Sequence, residues 1–133
     1  MRTRSMVIVI AVVVAILAAG MGALLLLKET GLWNMMKPFT VTVKNESNGN
    51  IVIVEAGTVR GQSKHTLDHT LESGKTFKFT PDLDILGEDG VYMTHTNAEG
   101  ATVQTSVCGY TEYLSGSAKV TINDDVEVEQ DCH

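Results

Sequence analysis

From Met6 to Leu27 the chain runs for 22 residues without a charge and with no side chain more polar than methionine. As a helix rising about 1.5 Å per residue, such a run spans roughly 33 Å, which matches a bilayer hydrocarbon core of about 30 Å. Two signals compete inside it. Ala18, Ala19, Gly20, Gly22 and Ala23 look like a signal-peptidase site, yet Leu24 to Leu27 follow where a cleaved export signal turns polar. An export-signal core is usually about 7 to 15 apolar residues, so the run reads as a retained transmembrane helix.

The flanks predict its direction. Arg2 and Arg4 precede the helix, whereas Lys28, Glu29 and Lys37 nearly balance on the far side. Positive residues stay inside, which places residues 1–5 in the cytoplasm and the rest of the chain in the periplasm or outside the cell. The expected organisation is a cytoplasmic amino terminus at 1–5, a plasma (inner) membrane span at 6–27, a linker at 28–37 and a folded domain at 38–133. Trp33, Lys28 and Lys37 are candidates for the membrane interface, where an indole ring and long basic side chains sit at head-group level. Ala11, Ala15, Ala19 and Ala23 recur every fourth residue, a small-residue ribbon that lets a second helix approach closely.

Charge narrows the partners. From Pro38 onward there are six Lys and Arg against fifteen Asp and Glu, about −9 for the domain. Such a surface repels phosphate backbones, so nucleic acid is excluded as a partner.

After Pro38 the hydrophobic period becomes two, the signature of half-buried strands. "FTVTVK" sets Phe39, Val41 and Val43 on one face, and "IVIVE" follows after Asn48-Gly49, a pair suited to a tight turn. A β-hairpin is therefore expected to open the domain. "KTFKFT", "VYMTHT", "ATVQTSV", "SAKVTI" and "VEVEQ" read as further strands, with Leu67, His69 and Leu71 suggesting another. Gly100 suits the left-handed residue that closes the "NAEG" loop. About seven strands without a helix-period segment predict an all-β fold: a small antiparallel β-sandwich preceded by one transmembrane helix.

A true immunoglobulin domain places a tryptophan between two cysteines, but Trp33 lies outside the body and Tyr110 follows Cys108. The stretch from Gly90 to Ile122, with Gly90-Val91-Tyr92 ahead of Gly109-Tyr110 and a last hydrophobic strand, resembles transthyretin-like and carboxypeptidase-regulatory-like sandwiches. The resemblance covers about a third of the domain. It implies architecture alone, Ig-like or transthyretin-like.

Cys108 and Cys132 stand 24 positions apart in an expected oxidising compartment, and pairing them would contribute roughly 3 to 4 kcal/mol by loop entropy. Among the histidines, His65 and His69 are four apart, which on a strand separates them by about 13 Å and makes one shared metal ion awkward. His95 shares parity with Val91 and Met93 and is expected in the core or at its rim. No metal site is expected, these three histidines being the candidates if there were one, and no cofactor is expected. "DLDILGEDG" places Asp82, Asp84 and Gly87 as in an EF-hand but offers Leu86 and Met93 where ligands are needed, so it reads as an acidic turn. Asp125, Glu127, Glu129 and Asp131 are expected on one face of the last strand, where like charges protect a sheet edge.

No nucleophile elbow, zinc-protease helix or phosphate-binding loop is present, and no enzymatic activity is expected. Lys44 and Asn123 are the pair considered for an isopeptide crosslink, and Asn45-Glu46-Ser47 spells a glycosylation sequon. The expected role is an interaction or accessory subunit that meets the bilayer and another membrane or envelope protein. The rival is a metal or small-ligand binder using histidines or acidic loops.

Overall fold

In a computed structural model, residues 2–29 and 36–133 are described. They divide into two compact units, Met1–Met36 and Lys37–His133. The first contains α1, a 28-residue helix over Arg2–Glu29. It is long and apolar enough to cross a membrane, and none of its apolar side chains is buried. Trp33 lies outside the described residues.

The second unit is mostly β, with eight strands: β1 (Thr40–Asn45), β2 (Ile51–Thr58), β3 (Lys64–Leu71), β4 (Thr76–Phe79), β5 (Asp89–Thr96), β6 (Thr102–Thr111), β7 (Gly116–Ile122) and β8 (Val126–Cys132). They form two four-stranded sheets, ordered β4-β1-β7-β8 and β3-β2-β5-β6. Alternation drives this arrangement: Phe39, Val41, Val43, Ala118, Val120 and Ile122 from the first sheet share one buried cluster with Ile51, Ile53, Val91 and Met93 from the second. The sheets are thus sandwich-like around a common core.

Two expectations fail in the first third of the domain. β1 and β2 do not form a hairpin: β1 pairs with β4 and β7, β2 with β3 and β5, and the chain crosses from one sheet to the other. Asn48 and Gly49 accordingly lack the positive φ that a tight hairpin turn requires. The sheets are also not wholly antiparallel, because β1 runs parallel to β7, with Val41 beside Ala118 and Val43 beside Val120. Side-chain burial rewards either direction equally, so the pattern of apolar residues is blind to it.

Asn45 shapes the crossing. Its Nδ2 donates to the carbonyls of Gly49 (2.8 Å) and Leu71 (2.9 Å), and its Oδ1 accepts from the N–H and hydroxyl of Ser47 at 3.0 and 2.6 Å. The side chain is fully buried and fully paired. The sequon therefore has its acceptor nitrogen sealed inside the fold. Lys44, considered for a crosslink with Asn123, directs its ammonium to Glu46 at 2.5 Å.

The two open sides of the layers are each bridged by side chains. On one side His69 of β3 stacks on Phe77 of β4 with ring centroids 3.7 Å apart. On the other, the Cys108–Cys132 disulfide joins β6 to β8 across a Cα separation of 6.2 Å. β6 reaches that bond through an irregularity: Val91 faces Cys108 and Tyr92 faces Ser106, leaving Val107 as an extra residue, so Val107 and Cys108 are both buried.

Candidate interaction surface

The strands run between two ends of the domain. At the far end lie the connections 46–50, 72–75, 97–101 and 123–125. At the entry end, the chain arrives from the amino-terminal side: Pro38 bridges Ser115, and the Phe39 N–H donates to the Leu114 carbonyl at 3.0 Å. The connections 59–63, 80–88 and 112–115 and the carboxyl terminus gather at this end.

The entry end is organised by Asp89. Its carboxylate accepts backbone N–H bonds from Arg60 (2.8 Å), Gly61 (2.8 Å) and Gly90 (2.7 Å), tying the β2–β3 connection to the start of β5. Burial pushes the Asp89 carboxyl up, but the three N–H donors outweigh it and hold its pKa below the ordinary value. The neighbouring 80–88 segment is pinned by backbone N–H groups: Asp82 donates to His65 Nδ1 at 3.0 Å, and Asp84 to the Ser63 hydroxyl at 2.8 Å. Leu83 is buried beneath it, and Gly87 takes φ +83°. The segment resembling an EF-hand is thus a lid sewn to β3, with the side chains of Asp82 and Asp84 in solvent.

Every exposed large hydrophobic residue from Lys37 onward lies at this end: Val59, Leu86, Tyr110 and Tyr113, with Leu86 wholly exposed. Leu86 lines a depression of about 650 Å³ together with Arg60, Ser63, Asp84 and Glu88. The Tyr110 hydroxyl donates to Glu112 at 2.5 Å, and that bond, with partial burial and nearby Glu88, raises its pKa and keeps it a hydrogen-bond donor. Exposed apolar side chains thus stand beside acidic and polar groups at this end.

The histidine candidates do not converge. His65 is occupied by the Asp82 amide, His69 by the Phe77 ring, and His95 sits on the core face of β5, where burial lowers its pKa and leaves Nδ1 without a partner. Among the described residues no group of three His, Cys, Asp or Glu side chains is placed to hold a metal ion. Ala11, Ala15, Ala19 and Ala23 are exposed on α1, as are Lys28 in its last turn and Lys37 ahead of β1.

Sequence reasoning missed Asn45 and Asp89 as clamps and the four exposed apolar residues. It also missed a chain of polar contacts on the outer face of the second sheet. There the Tyr92 hydroxyl donates to Glu55 at 3.1 Å while Lys64 reaches the same carboxylate at 3.4 Å. Burial and the Glu55 bond raise the Tyr92 pKa, and attraction to Glu55 raises that of Lys64. Gly57 is the signal that was legible: with Tyr92 as its cross-strand partner, a Cβ there would meet the phenol oxygen at 2.5 Å.

No family model matches the chain, and no curated protein matches it. Among solved structures, the NMR structure of a protein from Eubacterium rectale is similar at a TM-score of 0.49 and 21% identity, covering 74% of this chain and 92% of that chain.

Proposed function

We propose that this chain is a single-pass protein of the plasma (inner) membrane. Residues 1–5 lie in the cytoplasm, and a small β-sandwich of Ig-like or transthyretin-like architecture stands on the extracytoplasmic side. The domain serves as an interaction or accessory subunit of a membrane or envelope assembly and has no enzymatic activity of its own. One observation carries the reading: an acidic body collects its exposed apolar side chains, Val59, Leu86, Tyr110 and Tyr113, at the end where the chain enters. Leaving such side chains in water costs roughly 25 cal/mol per Å² of apolar area, and a membrane-bound partner at that end would cover them. The uncharged run Met6–Leu27 within α1 supports the anchor, and Arg2 and Arg4 in its first turn support its direction.

The test is capture of the full chain from membranes in mild detergent beside a Leu86→Asp, Tyr113→Ser variant. A stoichiometric membrane protein recovered with the parent chain and lost with the variant supports the reading. Recovery of the parent chain alone overturns it, as does digestion of the domain by a protease confined to the cytoplasm.

A further inference from the structure

Both sheets end in open edges, four in all: β3, β4, β6 and β8. An open edge presents unpaired backbone N–H and C=O groups to any other chain, and proteins commonly block it with charge, short length or a bulge. Three of the four are blocked. β8 carries exposed Glu127, Glu129 and Asp131. β4 is four residues long and carries Lys78. β3 carries Lys64 and Asp68, the latter at φ +46° where its register with β2 shifts.

β6 has none of these devices before its irregularity at Val107. From Ala101 to Thr111, "ATVQTSVCGYT", there is no charged residue and no proline. Its last part is covered by the first sheet, since Cys108 bonds to Cys132 and the Gly109 N–H donates to Gln130 at 2.7 Å. Over Thr102–Ser106 its only strand partner is β5, in unbroken antiparallel register with Tyr92–Thr96. A regular, uncharged stretch of five residues is therefore left with one side unpaired.

We propose that Thr102–Ser106 is a self-association edge, and that its occupant is a second copy of this chain paired antiparallel about a two-fold axis. Charge selects the occupant. A basic partner would be drawn to the carboxylates of β8, whereas a second copy of a domain carrying about −9 is repelled at most approaches and least along this neutral edge. The strand is also compatible with itself. Centred on Gln104, antiparallel pairing sets Thr102 against Ser106 of the second copy and Glu99 against its Gly109, so no carboxylate faces another. The β3-β2-β5-β6 sheets of the two copies would then join into one eight-stranded sheet, with the entry end free for other contacts. The inference goes beyond the proposed function and stands without it.

The experiment measures the mass of the full chain in mild detergent by light scattering, with amide hydrogen exchange on the same samples. A dimer is expected, with amides in Val103–Thr105 exchanging at least about tenfold more slowly than in a Thr102→Glu, Gln104→Glu variant, which is monomeric. Glu127→Gln with Glu129→Gln, on the opposite edge, leaves the dimer intact. A parent chain that is monomeric across the concentrations tested overturns the proposal. So does a dimer whose Val103–Thr105 amides exchange as fast as in the monomer, a reading of the parent chain that needs no variant to fold. A dimer that survives the edge carboxylates but is lost in Ala15→Leu, Ala19→Leu also overturns it and assigns association to α1. Loss of the dimer leaves the capture experiment on Leu86 and Tyr113 unaffected, so the two readings fail separately.

Discussion

At each end of the domain a buried polar side chain gathers several backbone groups, and the two differ in kind. At the far end Asn45, a neutral amide, satisfies two carbonyls and an N–H. At the entry end Asp89, a carboxylate, collects three N–H groups. The amide has both donors and acceptors and can join two segments of opposite polarity; the carboxylate gathers donors alone and brings a proton equilibrium with it. The entry end also holds the disulfide and the exposed apolar residues. The far end is thus closed by neutral hydrogen bonds, whereas the entry end depends on charge and redox state.

The largest effect that breaks this contrast is expected at Gly116. It takes φ +101°, and a Cβ there would meet the Asp131 carbonyl oxygen at 2.0 Å, backbone against backbone. Gly116→Ala should cost about 4 kcal/mol or more and abolish the β7–β8 pairing at the entry end, read as loss of a cooperative thermal transition. Next, Cys108→Ser with Cys132→Ser should lower stability by roughly 3 to 4 kcal/mol in denaturant titration, and reductant should reproduce the loss in the parent protein. Asn45→Ala follows at about 2 to 3 kcal/mol, because it strands two carbonyls and an N–H in the interior. It should perturb the far end first in hydrogen exchange, while Asp89→Asn, expected to cost about 1 to 2 kcal/mol, perturbs the entry end first.

The smallest effect sharpens the comparison through pH. The lowered pKa of Asp89 contributes stability above the ordinary carboxylate value of 3.8, and this is lost as pH falls through the still lower folded value. Asn45 contributes no such dependence. His95 acts in a separate window. Its folded pKa is depressed below 6.5, so the unfolded chain takes up a proton first and stability declines as pH drops from there toward the folded value. Denaturant midpoints measured between neutral pH and about pH 5 should show this slope in the parent protein and lose it in His95→Leu.

How much was legible follows from the range of each signal. The burial of His95 was readable because parity with Val91 and Met93 is local, and the left-handed Gly100 because a hairpin loop has one such position. Pairing of Cys108 with Cys132 followed from there being only two cysteines. The β1–β2 hairpin was misread because Asn48-Gly49 is a local turn signal, whereas the choice between pairing across the turn and crossing to the other sheet is made by Val41 and Val43 meeting Ala118 and Val120 more than seventy residues later. Asp89 was hidden for a similar reason: in "GEDG" it resembles its exposed neighbour Glu88, and only the return of Arg60 and Gly61 to its side distinguishes the two.

By itself the sequence determined an apolar helix of membrane length, an acidic domain, the set of strands and the faces they bury, since each depends on residues close together in the chain. The tertiary structure alone decided which strands became neighbours, the parallel β1–β7 pair, the clamps at Asn45 and Asp89, and which edge remained uncharged and unpaired. Those features depend on carbonyl, amide and side-chain groups that meet only when distant segments pack, and no periodicity in the chain encodes the meeting.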